Sequence, residues 1–244
     1  RNLDTQPWLR LHDSMSRIVV ASALFLTLVA ASSCTHVLEY FDTPGRGEAI
    51  RIALHSAGVK FTDKRLGWEE WQGIKSSSSD WVYKNGLPVL TVDGTKFSQS
   101  IAQMRYAARK GKLYSDNLLE AMRIDEVMDI VQDILAKTPS PPDPEEKKKQ
   151  REEYASGKMF NFMSRLNQLA EQSTTAWIAG TADMAIADLM TWQLLGMISS
   201  GNFDHVPADY HTQFAGLSRL EKAVSEHAVV TGYYASLPAA KQDL

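Results

Sequence analysis

Leu87-Pro88-Val89-Leu90-Thr91-Val92-Asp93-Gly94-Thr95-Lys96-Phe97-Ser98-Gln99-Ser100 carries more structural information than any other run in this chain. Pro88 to Val92 reads as a strand, Asp93-Gly94 as a two-residue turn and Thr95-Lys96-Phe97 as the returning strand. Proline is confined to strand beginnings, edges and bulges, so Leu87-Pro88 marks where the first strand opens, and such a proline often has a cis bond. Ser98 can cap a helix running from Gln99 to about Arg109. Gln99-Ser100 would then stand at a helix N-terminus, where backbone N–H groups and the dipole favour a carboxylate or phosphate. Simple helix capping explains the pair equally well.

Upstream, Val37-Leu38-Glu39-Tyr40-Phe41 is a short β-rich run ended by Pro44-Gly45-Arg46-Gly47. From Glu48 to Ala57, Ile50, Ala53, Leu54 and Ala57 recur at helical spacing, and Gly58 stops the helix. Phe61 to Leu66 is a candidate second strand. The order β-α-β-loop-β-β-α makes residues 35–113 a small α/β unit. From Ser115 onward the patterns are helical, so residues 114–244 form an all-α region. Leu118 to Lys137 carries Leu119, Met122, Val127, Ile130, Val131 and Ile134. Thr138 to Pro144 is a proline-punctuated loop. Glu145 to Arg151 is a charge run, acidic first and basic later, that suits a helix dipole and reads as a solvated face. Later helices centre on residues 187–198 and 214–226.

Composition bounds the function. The 244 residues carry 26 Lys and Arg against 29 Asp and Glu, a net charge of −3, so no electrostatic footprint for nucleic acid exists. With 44% hydrophobic and 23% charged residues, disorder and a multi-pass membrane protein are excluded. The single cysteine, Cys34, allows neither an intrachain disulfide nor a thiolate metal site. Thiol chemistry therefore uses Cys34 or a thiol from outside. Residues 1–34 read as upstream residues and a signal peptide: Met15-Ser16-Arg17, an uncharged run from Ile18 to Ala31, then small residues before Cys34. That run is shorter than the roughly 20 residues a spanning helix needs, so no stable membrane span is expected in the mature chain.

Taken singly, the remaining polar signals are weak. Tyr40 on a strand is ordinarily packing. Arg46 lies in a glycine-flanked turn. Trp71 and Lys75 stand four apart in a polar stretch, which an ordinary surface pair would also explain. Their order is specific. Tyr40…Gly45-Arg46-Gly47-Glu48…Trp71…Lys75…Leu87-Pro88…Asp93-Gly94…Gln99-Ser100 resembles the sigma-class cytosolic glutathione transferases, a family that includes glutathione-dependent prostaglandin D synthases and the lens crystallins of cephalopods. The resemblance runs from about Val37 to the C-terminus through Trp177-Ile178-Ala179-Gly180…Ile186-Ala187-Asp188 and Phe203-Asp204-His205…Tyr233-Tyr234.

The resemblance implies a thioredoxin-like domain over residues 35–113, an all-helical domain with the electrophile site over 114–244, and a homodimer. Glutathione would supply the external thiol as co-substrate, a small apolar electrophile would be the second substrate, and no metal is needed. Tyr40 would donate a hydrogen bond to the glutathione sulfur, and Arg46 would add positive field beside it. Leu87, held by a cis Pro88, would pair with the cysteinyl backbone, and Gly86 would lie beside it. Gln99 and Ser100 would take the γ-glutamyl end. Trp71 and Lys75 would cover the glycyl end, and Asp125 would reach across a dimer to the γ-glutamyl amine.

Three departures stand out. Ser76 to Tyr83 lengthen the loop before Pro88. Lys84-Asn85-Gly86 replaces the family's Phe-Gly-Lys/Gln, which unsettles the carry-over at Asn85 and Gly86. Ala185 stands where the family has a capping Thr, which removes a cap worth about 1 kcal/mol and predicts lower stability. The expected activity is conjugation. The alternatives are a glutathione-dependent isomerase on the same site and a non-catalytic, crystallin-like relative. The resemblance implies a cytoplasmic location, while the signal-peptide pattern and the terminal Lys241-Gln242-Asp243-Leu244 point to the secretory pathway or endoplasmic reticulum.

Overall fold

Alternating side chains on the first strand build a sheet with two covered faces. In the computed structural model, which describes residues 35–238, β1 (His36–Phe41) pairs in parallel with β2 (Phe61–Leu66) and antiparallel with β3 (Val89–Val92). β3 turns into β4 (Thr95–Phe97), giving the order β2-β1-β3-β4. The turn pairs Val92 with Thr95, and Asp93 and Gly94 take φ of 48° and 80°, the left-handed geometry of a type I′ turn. The right-handed twist of the strands selects that turn.

Helix α1 (Glu48–Ser56) makes the crossover from β1 to β2, and its Ile50, Ile52, Ala53 and Leu54 are buried. The connection from β2 to β3 is not a loop. It forms α2 (Trp68–Ser77) and the single-turn α3 (Trp81–Lys84). Gly73 and the serine tract obscure the helical period there, yet Trp71 and Ile74 still reach one face. Trp71, Tyr83 and Val89 form a small apolar cluster with Phe41, Ile74, Val82 and Leu87. This layer covers the sheet face opposite the main core.

The helix after the hairpin, α4 (Ser100–Lys110), starts one residue later than the sequence suggests. Its N-cap is Gln99, with φ 73° and ψ 97° and no side-chain cap, so Ser98 does not cap it. Then come α5 (Leu118–Ala136), α6 (Pro144–Tyr154), α7 (Phe160–Gln172), α8 (Ile186–Ser199), α9 (Ala215–Ser225) and α10 (Ala228–Ser236). Asn117 caps α5 through Leu119 and Glu120, and Asp143 caps α6 with Pro144 in its first turn. A π-helical turn, Ala155–Met159, joins α6 to α7. The apolar face of α5 is narrower than the sequence pattern implies. Val127, Val131 and Ile134 are buried, but Leu119 and Met122 are 52% and 62% exposed. They lie in the first two turns, beyond the reach of the neighbouring helices.

One apolar core runs through both the α/β and the helical regions, from Leu38, Ile52 and Met104 to Val127, Leu194 and Leu220. Two polar bonds seal the junction. Gln193 Oε1 accepts from Ala49 N–H at 3.3 Å, covering a donor at the start of α1, and Ile186 N–H donates to Leu113 O at 2.8 Å. Among the described residues, no helix is long and apolar enough to cross a membrane. The leader-like segment 1–34 and the terminal tetrapeptide lie outside the described residues.

The N-terminus of α8 is half-capped. Ala185 offers no side-chain acceptor, but Asp188 accepts from Ala185 N–H and Ile178 N–H, both at 2.7 Å. The cap lost at Ala185 is thus partly offset from Asp188. Burial pushes the Asp188 carboxyl from its ordinary 3.8 up to about 7, against the lowering effect of those backbone donors. An acid with a raised folded pKa stabilises the fold fully below its unfolded value and loses that contribution as pH rises through the folded one. Relative to Asp188→Asn, the wild-type urea midpoint should therefore fall between about pH 4 and 7. Asp188 N–H donates only to Ala185 O, at 3.0 Å, so Ala185→Thr should add a side-chain acceptor at the cap, worth about 1 kcal/mol, and raise Tm by about 2–4 °C. An Ala185→Thr protein that melts no higher would contradict the second expectation.

Candidate functional site

Tyr40 is where the sheet meets the turn that follows it. The turn Gly45–Gly47 wraps around its ring, and Arg46 N–H donates to the Tyr40 hydroxyl oxygen at 2.9 Å. Only glycine fits on either side of Arg46. A Cβ at Gly45, where φ is +36°, would stand 2.5 Å from the Tyr40 hydroxyl, and one at Gly47 would stand 2.7 Å from Cδ1 of the ring. Burial pushes the Tyr40 phenol above its usual range, opposed by the Arg46 N–H and the charges of Arg46 and Arg51. The hydroxyl therefore stays protonated at neutral pH. Since it accepts from Arg46, its own proton is available to an incoming acceptor.

The turn is held by a residue that the sequence patterns did not single out. Arg51, fully buried, donates to the carbonyls of Phe41 (3.1 Å) and Thr43 (3.0 Å), to Glu48 at 2.9 Å and to Asp63 at 3.0 Å. Its guanidinium also lies 5.7 Å from the centre of the Tyr40 ring. Tyr234 closes the network from α10 by donating to Glu48 at 2.9 Å. The apolar spacing of α1 hid Arg51, because a lone cation in such a helix ordinarily faces solvent. A signal did exist in the Glu48–Arg51 spacing of three, which places both on one helix face.

Beside Tyr40 lies a cleft of about 270 Å³ lined by Arg46, Asn85, Gly86, Leu87, Pro88, Gln99 and Ser100. Its floor contains the cis Leu87–Pro88 bond. Gln103 fixes that floor: its amide nitrogen donates to Pro88 O at 2.9 Å and to Phe97 O at 2.8 Å. The uncapped N-terminus of α4 opens on this cleft at Gln99 and Ser100, a ready site for a carboxylate. Arg46 adds a positive charge from the other wall, and burial draws its guanidinium below the usual arginine range.

Of the expected site residues, six line this cleft: Arg46, Gly86, Leu87, Pro88, Gln99 and Ser100. Tyr40 joins through its bond to Arg46. Trp71 is not a surface residue paired with Lys75. It is 4% exposed within its apolar cluster, and neither residue lines the cleft. Helix α2 turns the indole toward the sheet and leaves Lys75 on the solvent side. Asp125 lies on α5, ion-paired with Arg105 Nε at 2.8 Å, and also does not line the cleft. Among the described residues no cluster of three or more His, Cys, Asp or Glu could hold a metal ion.

A family model described as "Glutathione S-transferase, C-terminal domain" matches residues 128–237. Glutathione S-transferase 3 of Caenorhabditis elegans is 31% identical over 166 residues, which cover 63% of this chain and 78% of that protein. The chain belongs to the glutathione S-transferase family. Probable glutathione S-transferase gst-36 of the same nematode is 37% identical over 97 residues, and there the match spans only 44% of the relative. Among solved structures, prostaglandin synthase D of Nilaparvata lugens superposes with a TM-score of 0.72 at 25% identity, covering 84% of this chain and 99% of that one. In this transferase-family fold, Gly47→Ala should cost about 1–3 kcal/mol, because the buried Tyr40 ring has nowhere to move. Arg51→Leu should cost about 3–5 kcal/mol by leaving the buried Glu48 without its cation and Asp63 with Arg65 alone. Chemical denaturation of the two variants beside the wild type checks both values.

Proposed function

We propose that the chain is a sigma-class glutathione transferase that joins the glutathione thiolate to small apolar electrophiles. The observation that carries this reading is Tyr40. It is a neutral, buried phenol that already accepts from Arg46 N–H, and its proton is free to bond a sulfur at the edge of the cleft. A free thiol has a pKa of about 8.5, and a donor together with positive charge lowers it. In this reading Leu87 pairs its backbone with the cysteinyl unit above Pro88. The γ-glutamyl carboxylate lies on the α4 N-terminus at Gln99 and Ser100. Trp71 and Lys75 serve the glycyl end from outside the cleft lining. The thiolate then attacks the electrophilic carbon.

Residues 35–113 act as the glutathione-binding part and the helices after residue 113 supply the electrophile wall. A homodimer is supported by the apolar side chains at the start of α5, where Leu118, Leu119 and Met122 are 87%, 52% and 62% exposed. Asp125, one turn further on, would face the partner's glutathione. A cytoplasmic location accompanies the family reading, and fluorescent tagging at an internal site separates it from the secretory alternative. A second reading, glutathione-dependent isomerisation, is favoured by the likeness to the Nilaparvata lugens prostaglandin synthase D. It uses the same thiolate and differs in the electrophile.

Purified protein should conjugate glutathione to a chloro-dinitrobenzene probe, and Tyr40→Phe should lower kcat by about 10²-fold while the protein still binds immobilised glutathione. Retention on glutathione with no turnover of the probe or of a prostaglandin endoperoxide would favour a non-catalytic binding relative. Full activity in Tyr40→Phe would remove Tyr40 from the mechanism.

A further inference from the structure

We propose that Gln132 is the positioning residue for Arg46: a neutral acceptor that fixes the guanidinium beside Tyr40 without cancelling its charge. The inference rests on the transferase reading above. Arg46 Nη1 donates to Gln132 Oε1 at 2.8 Å, across 86 residues of sequence, so the bond ties the glycine-flanked turn to α5. Arginine only donates, so the acceptor must be the amide oxygen and not the amide nitrogen.

The choice of an amide here is notable because α5 is rich in carboxylates. Asp125 and Asp129 are both engaged by Arg105, at 2.8 and 3.4 Å, and Asp133 pairs with Lys137 at 2.6 Å. Glu126 pairs with Arg165 at 2.8 Å, so each acidic side chain from Asp125 to Asp133 has a cation, Asp125 and Asp129 sharing Arg105, and the position that meets Arg46 is uncharged. From β1, Tyr40 is the ionisable group that acts on Arg46; Glu48 of α1 pairs with Arg51, and Asp63 of β2 pairs with Arg51 and Arg65. From α10, Tyr234 bonds Glu48. No carboxylate has a hydrogen bond or ion pair with Arg46 among the described residues. The guanidinium therefore keeps its full field toward the sulfur, and the amide sets its direction.

A carboxylate at position 132 would hold the guanidinium in the same place but form an ion pair with it. Seen from the thiol, the pair's field is close to neutral. A leucine would remove the acceptor and free the guanidinium to move. The two substitutions therefore separate charge from position, which a purely structural role for Gln132 would not do.

The test titrates the thiol of bound glutathione by ultraviolet difference absorbance, and measures kcat/KM against pH, in wild type, Gln132→Glu and Gln132→Leu. Thermal melts establish that all three are folded. The wild type should lower the thiol pKa below its free value. Gln132→Glu should move the thiol titration and the acid limb of the profile up by about one pH unit, a tenfold loss on that limb. Above the shifted limb it should regain at least half the wild-type rate. Gln132→Leu should lower kcat about fivefold at every pH, with KM for glutathione changed by less than about twofold. A wild-type protein that leaves the thiol at its free value overturns the transferase reading, and this inference with it. A lowered wild-type thiol together with an unmoved Gln132→Glu limb overturns the inference alone. So does an unchanged kcat in Gln132→Leu.

Discussion

The buried guanidinium of Arg51 is the interaction on which the site depends. It has no exposure to solvent, and it binds the carbonyls of Phe41 and Thr43 together with the carboxylates of Glu48 and Asp63. The Phe41 carbonyl ends β1, and that of Thr43 lies in the stretch leading to Arg46, which has no regular hydrogen-bond ladder of its own. A buried charge is costly unless each of its donors is satisfied. Here that demand works in reverse: satisfying Arg51 forces the segment into one path. The path brings Arg46 N–H onto the Tyr40 hydroxyl and the two flanking glycines against its ring. Stability and site geometry are thus two consequences of one network.

The same logic extends outward. Tyr234 reaches Glu48 from the last helix, Gln193 reaches Ala49 from α8, and Gln132 reaches Arg46 from α5. Each is a single polar bond set at the border of a shared apolar core. Hydrophobic packing between the sheet and the helices is strong but weakly directional. The polar bonds add direction, because an unsatisfied buried donor costs about 1–3 kcal/mol. On the far wall, Gln103 performs the corresponding task for Pro88.

Local signals made much of this legible. Asp93-Gly94 dictates its hairpin, because few residue pairs adopt two left-handed conformations in succession. Gly58 marks the end of α1 for an equally local reason, with φ of 64°. Six cleft residues follow from the family resemblance that the ordered motif carries. The failures have a common cause. In Trp68–Ser77, Gly73 and the serines depress helix propensity, and contact with the sheet overrides it. Trp71 looks like a surface residue because burial is decided by what packs over it. Leu119 and Met122 fit the apolar pattern of α5, but pattern says nothing of whether a partner stands opposite. Gln99 caps its helix with a left-handed backbone, which no side-chain rule for Ser98 anticipates.

By itself the sequence determined the four strands and the hairpin turn between the last two, which depend on near neighbours whose spacing is written in the chain. Its resemblance to a known family, not spacing alone, picked out Tyr40, Arg46, Leu87, Pro88, Gln99 and Ser100. Only the tertiary structure decided that Arg51 is buried, that Gln103 supports Pro88, and that Gln132 meets Arg46. The Gln103 and Gln132 roles join groups 15 and 86 residues apart, and the Arg51 network is closed by Tyr234, 186 residues beyond Glu48. Spacing in sequence carries no record of such meetings, because a polar side chain's role is set by which partners exclude water from it.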